Sequence, residues 1–320
     1  MKTALVTGGA GFVGSHLCDA LLASGMRLIC LDDLSTGRAD NIAHLRHHPR
    51  FSFVPGDVSR DSDWAALPPV DRVYHLASPA SPEDYQRTPV DTIRTNVVGT
   101  LKALGFAHAQ GARLLLTSTS EVYGDPAVHP QPEAYWGHVN PVGPRSCYDE
   151  GKRCAEALAV AHAGQYGTQV RVARLFNTYG PRLRADDGRV VSRFIVHALR
   201  GQPLPLHGSG AQTRSFCYVS DTVRGLLALM EQEHVRGPMN IGNPQEITMA
   251  ELASEVLMLT GSSAGVRGEP GREDDPRCRQ PDIGLARQAL GWQPEVGLPE
   301  GLRATIDWFR ALHVGSQRTP

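Results

Sequence analysis

A glycine-rich turn near the start of the chain sets the strongest limit on the fold. Residues 8–14 read Gly-Gly-Ala-Gly-Phe-Val-Gly and directly follow the apolar run Thr3–Thr7. Glycines in this arrangement allow a tight turn between a strand and a helix, and they let a pyrophosphate approach the N-terminus of that helix. We therefore expect a strand, a phosphate-binding turn and a helix, which form the first step of a dinucleotide-binding sheet.

Short apolar runs and helix-like stretches alternate through the first half of the chain. This order is typical of successive βαβ units and predicts an α/β fold with a Rossmann-type doubly wound parallel sheet. The predicted strands are Thr3–Thr7, Arg27–Leu31, Phe51–Val54, Arg72–Leu76, Arg113–Thr117 and Val170–Arg174. The predicted helices are Phe12–Ser24, Pro89–Ala109 and Ser146–Tyr166, each followed by a glycine that can stop it. Prolines break the pattern after Arg174, so we expect residues 175–320 to form mainly a smaller lobe, with segments around 215–262 returning to the domain of residues 1–174.

Two carboxylates at the end of the second predicted strand indicate which dinucleotide the sheet would bind. Asp32 and Asp33 stand where a carboxylate accepts hydrogen bonds from the adenosine ribose and repels a 2′-phosphate, so NAD is favoured over NADP. The predicted cofactor residues lie in the glycine turn and at the ends of later strands: Gly8, Gly11, Phe12, Val13, Gly14, Asp32, Asp33, Ser35, Thr36, Gly37, Asp57, Val58, Leu76, Ala77, Ser78, Thr95, Thr117, Tyr148, Lys152 and Thr178.

A tyrosine and a lysine four residues apart form the predicted catalytic pair. Tyr148 and Lys152 share one face of a predicted helix, where an ammonium can hold a phenol partly ionised. Lysine occurs only at positions 2, 102 and 152 among 32 basic residues, so position 152 favours an ammonium over a guanidinium. Thr119 ends the fifth predicted strand, at the sheet edge where ligands bind in such folds. These three residues predict a proton-handling site beside a nicotinamide, with Tyr148 as the base.

The composition excludes several classes of partner. A formal net charge of -1 and the lack of a basic block argue against nucleic acid. No run approaches 18 apolar residues, so we expect no membrane span. The six cysteines form no CxxC pair and show no metal-ligand spacing, which predicts reduced thiols, no bound metal and a cytoplasmic location.

Several longer strings carry a family resemblance. The most specific are residues 75–82, 117–125, 135–141, 145–153, 187–192 and 212–216. With them, the chain resembles the extended short-chain dehydrogenase/reductase family nearly end to end, and within that family it is most similar to the UDP-glucuronate decarboxylases. The resemblance implies an NAD-dependent enzyme that converts UDP-glucuronate to UDP-xylose through a 4-keto sugar and recycles its cofactor in the site. It also implies a homodimer formed through the helices Pro89–Ala109 and Ser146–Tyr166.

The resemblance implies roles for further residues. Glu121 is expected to assist proton delivery at C5 of the sugar, and burial is expected to raise its pKa. Arg279 is expected at the sugar carboxylate, although the nearby Arg277 is an alternative. The other substrate residues implied by the family are Ser120 beside Thr119, Asn177, Arg189 and Arg214 at the uridine diphosphate, and Tyr85 and Arg94 near the glucuronosyl group.

Two alternatives to decarboxylation stay open at this point, which makes three interpretations in all. Arg94 stands where the family usually has lysine, and Cys217 where glutamine is commoner, so the preferred sugar can differ. A UDP-hexuronate 4-epimerase, or another nucleotide-sugar epimerase or dehydratase, is the nearest rival, although a dehydratase is expected to carry an Asp-Glu pair after Thr119 rather than Ser120-Glu121. A non-catalytic NAD-binding protein is the third reading, because a fold alone does not prove a reaction.

Overall fold

A seven-stranded parallel sheet forms the centre of the molecule. The computed structural model describes residues 1–235, 237–271 and 276–316. In chain order, the strands described are β1 Thr3–Thr7, β2 Arg27–Asp32, β3 Phe51–Pro55, β4 Arg72–His75, β5 Arg113–Thr119, β6 Val170–Leu175, β7 Thr178–Tyr179, β8 Leu204–His207, β9 Thr213–Ser215, β10 Cys217–Tyr218, β11 Met239–Ile241, β12 Glu246–Thr248 and β13 Val266–Glu269. The large sheet has the order β11-β6-β5-β4-β1-β2-β3, which confirms the predicted doubly wound α/β class.

Helices cover both faces of this sheet. They are α1 Phe12–Ala23, α2 Asp61–Ala65, α3 Pro82–Arg87, α4 Pro89–Arg94, α5 Thr100–Ala109, α6 Ser146–Tyr166, α7 Val190–Leu199, α8 Val219–Glu231, α9 Met249–Thr260, α10 Gly284–Leu290 and α11 Leu298–Ser316. Since each central strand is buried on both sides, it reads as a continuous apolar run; Leu114, Leu115 and Leu116 of β5 are all fully buried.

One predicted helix contains a π-helical segment. The sequence predicts a single helix over Pro89–Ala109, whereas the structure has α4, a π-helical segment Thr95–Gly99 and then α5. The whole stretch is helical as expected, but apolar spacing does not reveal the extra residue that a π-helical turn accommodates. The predicted helix Ser146–Tyr166 is confirmed as α6, and it ends at Gly167, whose φ of 72° is left-handed.

The second half of the chain divides between the sheet and a lobe of its own. Strand β11 extends the sheet beside β6, and α8 packs against α1 in the core on one sheet face. By contrast, α7, α9 and α11 surround a separate core that includes Phe194, Leu252 and Ile306. The chain therefore returns to the sheet through α8 and β11, while α9, also within the range predicted to return, belongs to the lobe.

Candidate active site

One long cavity runs past the carboxyl ends of the strands and on between the sheet and the lobe. Every residue predicted to bind cofactor or substrate lines it, except Asp57 and Arg94. Asp57 accepts a hydrogen bond from Ser59 N within its own loop. Arg94 lies outside the cavity on α4, is about half exposed, and pairs with Asp91 at 3.2 Å and more loosely with Asp57 at 3.9 Å. The structure therefore does not bring Arg94 to the expected sugar site.

The glycine turn begins the cavity and leaves no room for side chains. A Cβ at Gly14 would overlap the carbonyl oxygen of Gly8, and one at Gly8, whose φ is +70°, would lie 2.8 Å from Ala77 N. The Gly8 amide is tied to Leu31 O of β2 at 2.9 Å. This packing explains why the sequence needs glycine here, and it opens the N-terminus of α1 to the cavity.

Asp32 lies at the end of β2 on the wall of the same cavity. Its carboxylate accepts hydrogen bonds from Ala10 N at 2.9 Å and from Leu34 N at 2.8 Å. Burial raises the pKa of Asp32, and these two amides oppose the rise. The two amides thus hold the carboxylate in one orientation at the sheet edge.

Tyr148, Thr119 and Lys152 all line the cavity, and all three are buried. Burial raises the pKa of the Tyr148 phenol to about 12, and a hydrogen bond with the Thr119 side chain opposes the rise. Burial lowers the pKa of Lys152 to about 8, so its ammonium remains mostly protonated at neutral pH.

The tyrosine and the lysine do not pair directly. Lys152 Nζ donates to the carbonyl of Thr117 at 3.0 Å and lies 6.0 Å from the centre of the Tyr148 ring. In this structure burial dominates the pKa of Tyr148, and the expectation that Lys152 lowers that pKa beside a nicotinamide stays a prediction. The two side chains share one helix face, but the ammonium is tied to the sheet.

Glu121 is held between two arginines on the cavity wall. One carboxylate oxygen accepts from Arg279 and the other from Arg145. Arg279 also donates to Ser120 Oγ at 3.2 Å and to Gly124 O at 2.9 Å. Burial acts to raise the pKa of Glu121, but Arg279 and Arg145 overcome it and hold the pKa at about 2. The expectation that burial raises the pKa of Glu121 is therefore wrong. The sequence alone does not show that two guanidinium groups contact this carboxylate.

Asp149 is the acid in this cluster whose pKa is raised. It is buried and lies 3.6 Å from Arg145. Burial and the charge of Glu121 raise the pKa of Asp149 to about 7. The two carboxylates compete for Arg145, so Glu121 keeps the negative charge and Asp149 is the one that can carry a proton near neutral pH.

Arginines and an amide line the lobe side of the cavity, as the sequence predicts for a diphosphate end. Asn177, Arg189 and Arg214 all contribute to this wall. Arg189 forms a two-pronged pair with Asp187, at 2.6 and 2.7 Å, and its guanidinium stands 5.8 Å from the ring centre of Phe12. Arg189 therefore touches both the lobe and the start of α1.

Sequence reasoning missed Arg145 and Asp149, although both are close in sequence to Tyr148. Arg145 precedes Asp149 by four residues, a spacing that places them on one helix face. It also missed Arg184, whose partners lie 100 and 148 residues away along the chain and which no local pattern reveals. Cys217, the second departure from the family, is buried in the core, away from the cavity wall.

The described residues show neither a membrane span nor a metal cluster. Over residues 1–235, 237–271 and 276–316, no helix has the length and apolar character needed to span a bilayer. Within the same ranges, no three histidines, cysteines or acidic residues gather in a way that could hold a metal ion.

Comparisons with known proteins agree with this geometry. Residues 4–242 match the "NAD dependent epimerase/dehydratase family". The chain is 55% identical over 306 residues to UDP-glucuronic acid decarboxylase 1 of Arabidopsis thaliana, covering 96% of this chain and 69% of that protein.

Solved structures share the whole architecture. UDP-glucose 4-epimerase of Thermotoga maritima, with UDP-glucose, superposes with a TM-score of 0.90 at 32% identity, over 97% of this chain and 99% of that one. UDP-glucuronic acid 4-epimerase of Bacillus cereus, in complex with UDP-glucuronic acid and NAD, gives a TM-score of 0.87 at 29% identity over the same shares of the two chains.

Proposed function

The chain belongs to the NAD dependent epimerase/dehydratase family, and on that basis we propose that it is a UDP-glucuronate decarboxylase that forms UDP-xylose. Decarboxylases of this name are 52–55% identical to it over 96–98% of its length. The UDP-glucuronic acid 4-epimerase of similar fold is 29% identical. Sequence similarity therefore favours decarboxylation over epimerisation.

The observation that carries the proposal is an arginine able to receive a carboxylate. Arg279 is buried in the cavity wall, and its Nε has no hydrogen-bond partner among the described residues. A buried guanidinium nitrogen without a partner is unfavourable, and a ligand carboxylate would satisfy it. Its neighbours Ser120 and Glu121 adjoin Thr119, so a uronate held there would lie close to Tyr148.

The cofactor cradle fits NAD. The glycine turn brings backbone to the cavity where a Cβ would clash, and Asp32 offers a buried carboxylate at the end of β2 for a ribose. Gly8, Gly11 and Gly14 would face the pyrophosphate, and Lys152 the nicotinamide ribose. When bound, NAD would accept a hydride from the sugar and later return it.

Tyr148 and Thr119 would manage the oxygen on C4 of the sugar. Tyr148 would take the proton of the C4 hydroxyl, and Thr119 would hydrogen-bond the same oxygen. Once C4 is a ketone, the sugar is a β-keto acid, because its carboxylate is attached to C5 beside that ketone. The bond to the carboxyl carbon can then break, because its electron pair moves into an enolate whose oxygen these two side chains stabilise. Lys152, protonated because its pKa is about 8, would favour the ionised phenol.

Glu121 and its arginines would act on the uronate end. If the substrate carboxylate takes Arg279, then Glu121 keeps only Arg145, and its pKa rises because it has lost a cation and remains buried. The exchange would prepare Glu121 to deliver a proton to C5 after carbon dioxide leaves. The same residues would hold the sugar in one orientation, which an epimerase has to let turn.

A labelled substrate separates the possible functions. We expect purified protein, UDP-glucuronate labelled in its carboxyl carbon and NAD+ to release labelled carbon dioxide and form UDP-xylose, without net accumulation of NADH. A UDP-hexuronate that keeps its label would instead support the 4-epimerase. A protein that binds NAD but converts no uronate would support the non-catalytic alternative.

A homodimer and a cytoplasmic location are further parts of the proposal. Val90 on α4, Leu101 on α5 and Val160 on α6 are each at least half exposed, and these helices pack side by side. A dimer through this face would cover the three side chains, and light scattering of wild type and Leu101→Glu would test it. All six cysteines lie in the described part of the chain and are free thiols, as is usual in a reducing compartment.

A further inference from the structure

The segment of residues 180–189, which leads from β7 to α7, lies between the lobe and the sheet domain. Its Arg182 pairs with Asp19 of α1 at 2.7 Å, and the Pro181 carbonyl contacts His16 Nε2 at 2.9 Å. Further along, Gly188 packs so closely on Glu83 of α3 that a Cβ would collide with it. The segment is therefore attached to the sheet domain at several points while it lines the cavity.

Arg184, in the middle of this segment, contacts two opposite walls of the cofactor cradle. Its Nη1 donates to Thr36 O at 3.3 Å, and its Nη2 donates to Asp84 Oδ1 at 3.2 Å. Thr36 follows β2, and Asp84 lies in α3, which follows β4. In the sheet, β1 lies between these two strands, with the glycine turn at its end. The guanidinium thus spans the cradle above the glycine turn.

The contact with Asp84 is well shielded from water. The Asp84 side chain is 5% exposed and that of Arg184 is 18% exposed, so solvent screens this pair less than an ordinary surface ion pair. Asp84 is also fixed by Ser81 Oγ at 3.1 Å. The bridge therefore has a rigid anchor on the α3 side and a backbone carbonyl on the other.

We propose that Arg184 forms a bridge across the dinucleotide cradle, which holds the cofactor in place and makes its release slow. The inference rests on the NAD binding in the proposed function and assigns the retention of NAD to this residue. A dinucleotide that lies along the glycine turn would have to pass this bridge to leave, so the contact of Arg184 with Thr36 or with Asp84 must break first. The bridge would act on the rate of NAD exchange more than on the hydride chemistry.

Exchange of labelled NAD measures this directly. Protein loaded with radiolabelled NAD is mixed with excess unlabelled NAD, and the bound label is followed with time for wild type and Arg184→Met. We expect release at least about tenfold faster in the variant, the change that corresponds to about 1.4 kcal/mol of lost barrier. Methionine keeps most of the aliphatic stem while removing the hydrogen bonds to Thr36 O and Asp84, together with a local one from Nε to Asp186.

Arg87→Met is the matched control. Arg87 Nη2 also pairs with Asp84 Oδ1, at 3.0 Å, but Arg87 lies on α3 itself, is largely exposed and bridges nothing. We expect its exchange rate to equal that of wild type. Equal acceleration by Arg87→Met and Arg184→Met would overturn the proposal, since loss of a cation beside Asp84 would then explain both. Unchanged release from Arg184→Met would overturn it as well.

Two further measurements keep the test decisive. Arg184→Lys retains a cation that can contact only one wall of the cradle at a time, so we expect faster NAD release from this variant too. It replaces Arg184→Met if thermal melting shows that the methionine variant is unfolded. Exchange is read without any UDP-sugar. Absence of decarboxylation would therefore count against the proposed function alone. A changed exchange rate would still test whether the Arg184 bridge retains NAD.

Discussion

The rings of Tyr85 and Tyr148 are stacked almost parallel, with 5.0 Å between centroids and 4° between planes. Tyr85 comes from α3 and Tyr148 from α6, so two helices on separate parts of the chain fix the ring of Tyr148. Both residues are buried, and the Tyr85 hydroxyl has no hydrogen-bond partner within the described residues. Tyr85 thus sets the plane of Tyr148 and keeps a donor free for a ligand.

Tyr85→Phe is expected to weaken substrate binding without harming the fold. The stacked ring remains, while a hydroxyl that is buried and unpaired in the free protein is removed, so the free energy of unfolding should stay equal or rise. We expect KM for the UDP-sugar to rise about three- to tenfold, which is the range of one neutral hydrogen bond. Tyr135→Phe is the control, because the Tyr135 hydroxyl already accepts a hydrogen bond from Ala127 N. An unchanged KM in Tyr85→Phe would contradict the prediction.

Tyr148→Phe is expected to abolish turnover but not cofactor binding. Only the hydroxyl that we propose takes the sugar proton is lost, and a positioned acid or base typically contributes about 10² to 10⁴ in rate. Steady-state assay gives the loss in kcat, and fluorescence titration gives NAD affinity for the same preparation. Turnover close to that of wild type would remove Tyr148 from the proposed mechanism.

Asp149→Asn is expected to stabilise the protein at neutral pH. The pKa of Asp149 is raised to about 7 from its ordinary 3.8, first by burial and then by Glu121. An acid whose pKa is higher in the folded state than in the unfolded state stabilises the protein below its unfolded pKa. This contribution is lost as the pH rises through the folded pKa. The ionised Asp149 carboxylate should therefore lower the free energy of unfolding progressively from about pH 4 to pH 7, by about 1.4 kcal/mol for each unit of pKa shift.

Denaturant titrations at several pH values check this difference. The free energy of unfolding of Asp149→Asn minus that of wild type should increase between pH 4 and 7 and level off above. Asp307→Asn, at a largely exposed ion pair with Arg310, should show no such slope. A difference that is constant with pH would mean that Asp149 is already ionised at pH 4.

Gly14→Ala is expected to disrupt the phosphate-binding turn. The added methyl group would overlap the Gly8 carbonyl oxygen, which is backbone and has no room to move. We expect NAD affinity to fall by at least about tenfold and the melting temperature to drop. Gly105→Ala in α5 is the matched control, because a Cβ there meets nothing within 4 Å, and alanine favours a helix over glycine by about 1 kcal/mol. Equal effects of the two substitutions would refute the steric argument.

The strands and most helices could be predicted from the sequence because their signals are local. The apolar runs and the glycine stops placed β1 and α6 correctly, and each sheet strand among the six predicted ends within two residues of its prediction. The π-helical segment at Thr95–Gly99 could not be found this way, since one additional residue in a turn leaves the apolar pattern almost unchanged.

The charged network of the site was beyond reach of the sequence. Glu121 and Arg279 are 158 residues apart, and whether a buried carboxylate gains or loses a proton depends on which cations meet it in space. For the same reason, Arg94 was predicted near the sugar but lies outside the cavity. Residue type and motif position indicate which side chains are capable of catalysis or binding, whereas the charge state of those side chains follows from tertiary contacts.

The position of β11 at the edge of the sheet affects how the protein is made. Met239 pairs with Ala173 and Ile241 with Leu175, so β6 gains its outer neighbour only after the intervening chain has left the ribosome. Until then a nascent chain presents an open strand edge, which other chains can join. A fragment cut after Arg174 would keep that edge permanently, and we expect it to aggregate unless a peptide spanning β11 is supplied in trans.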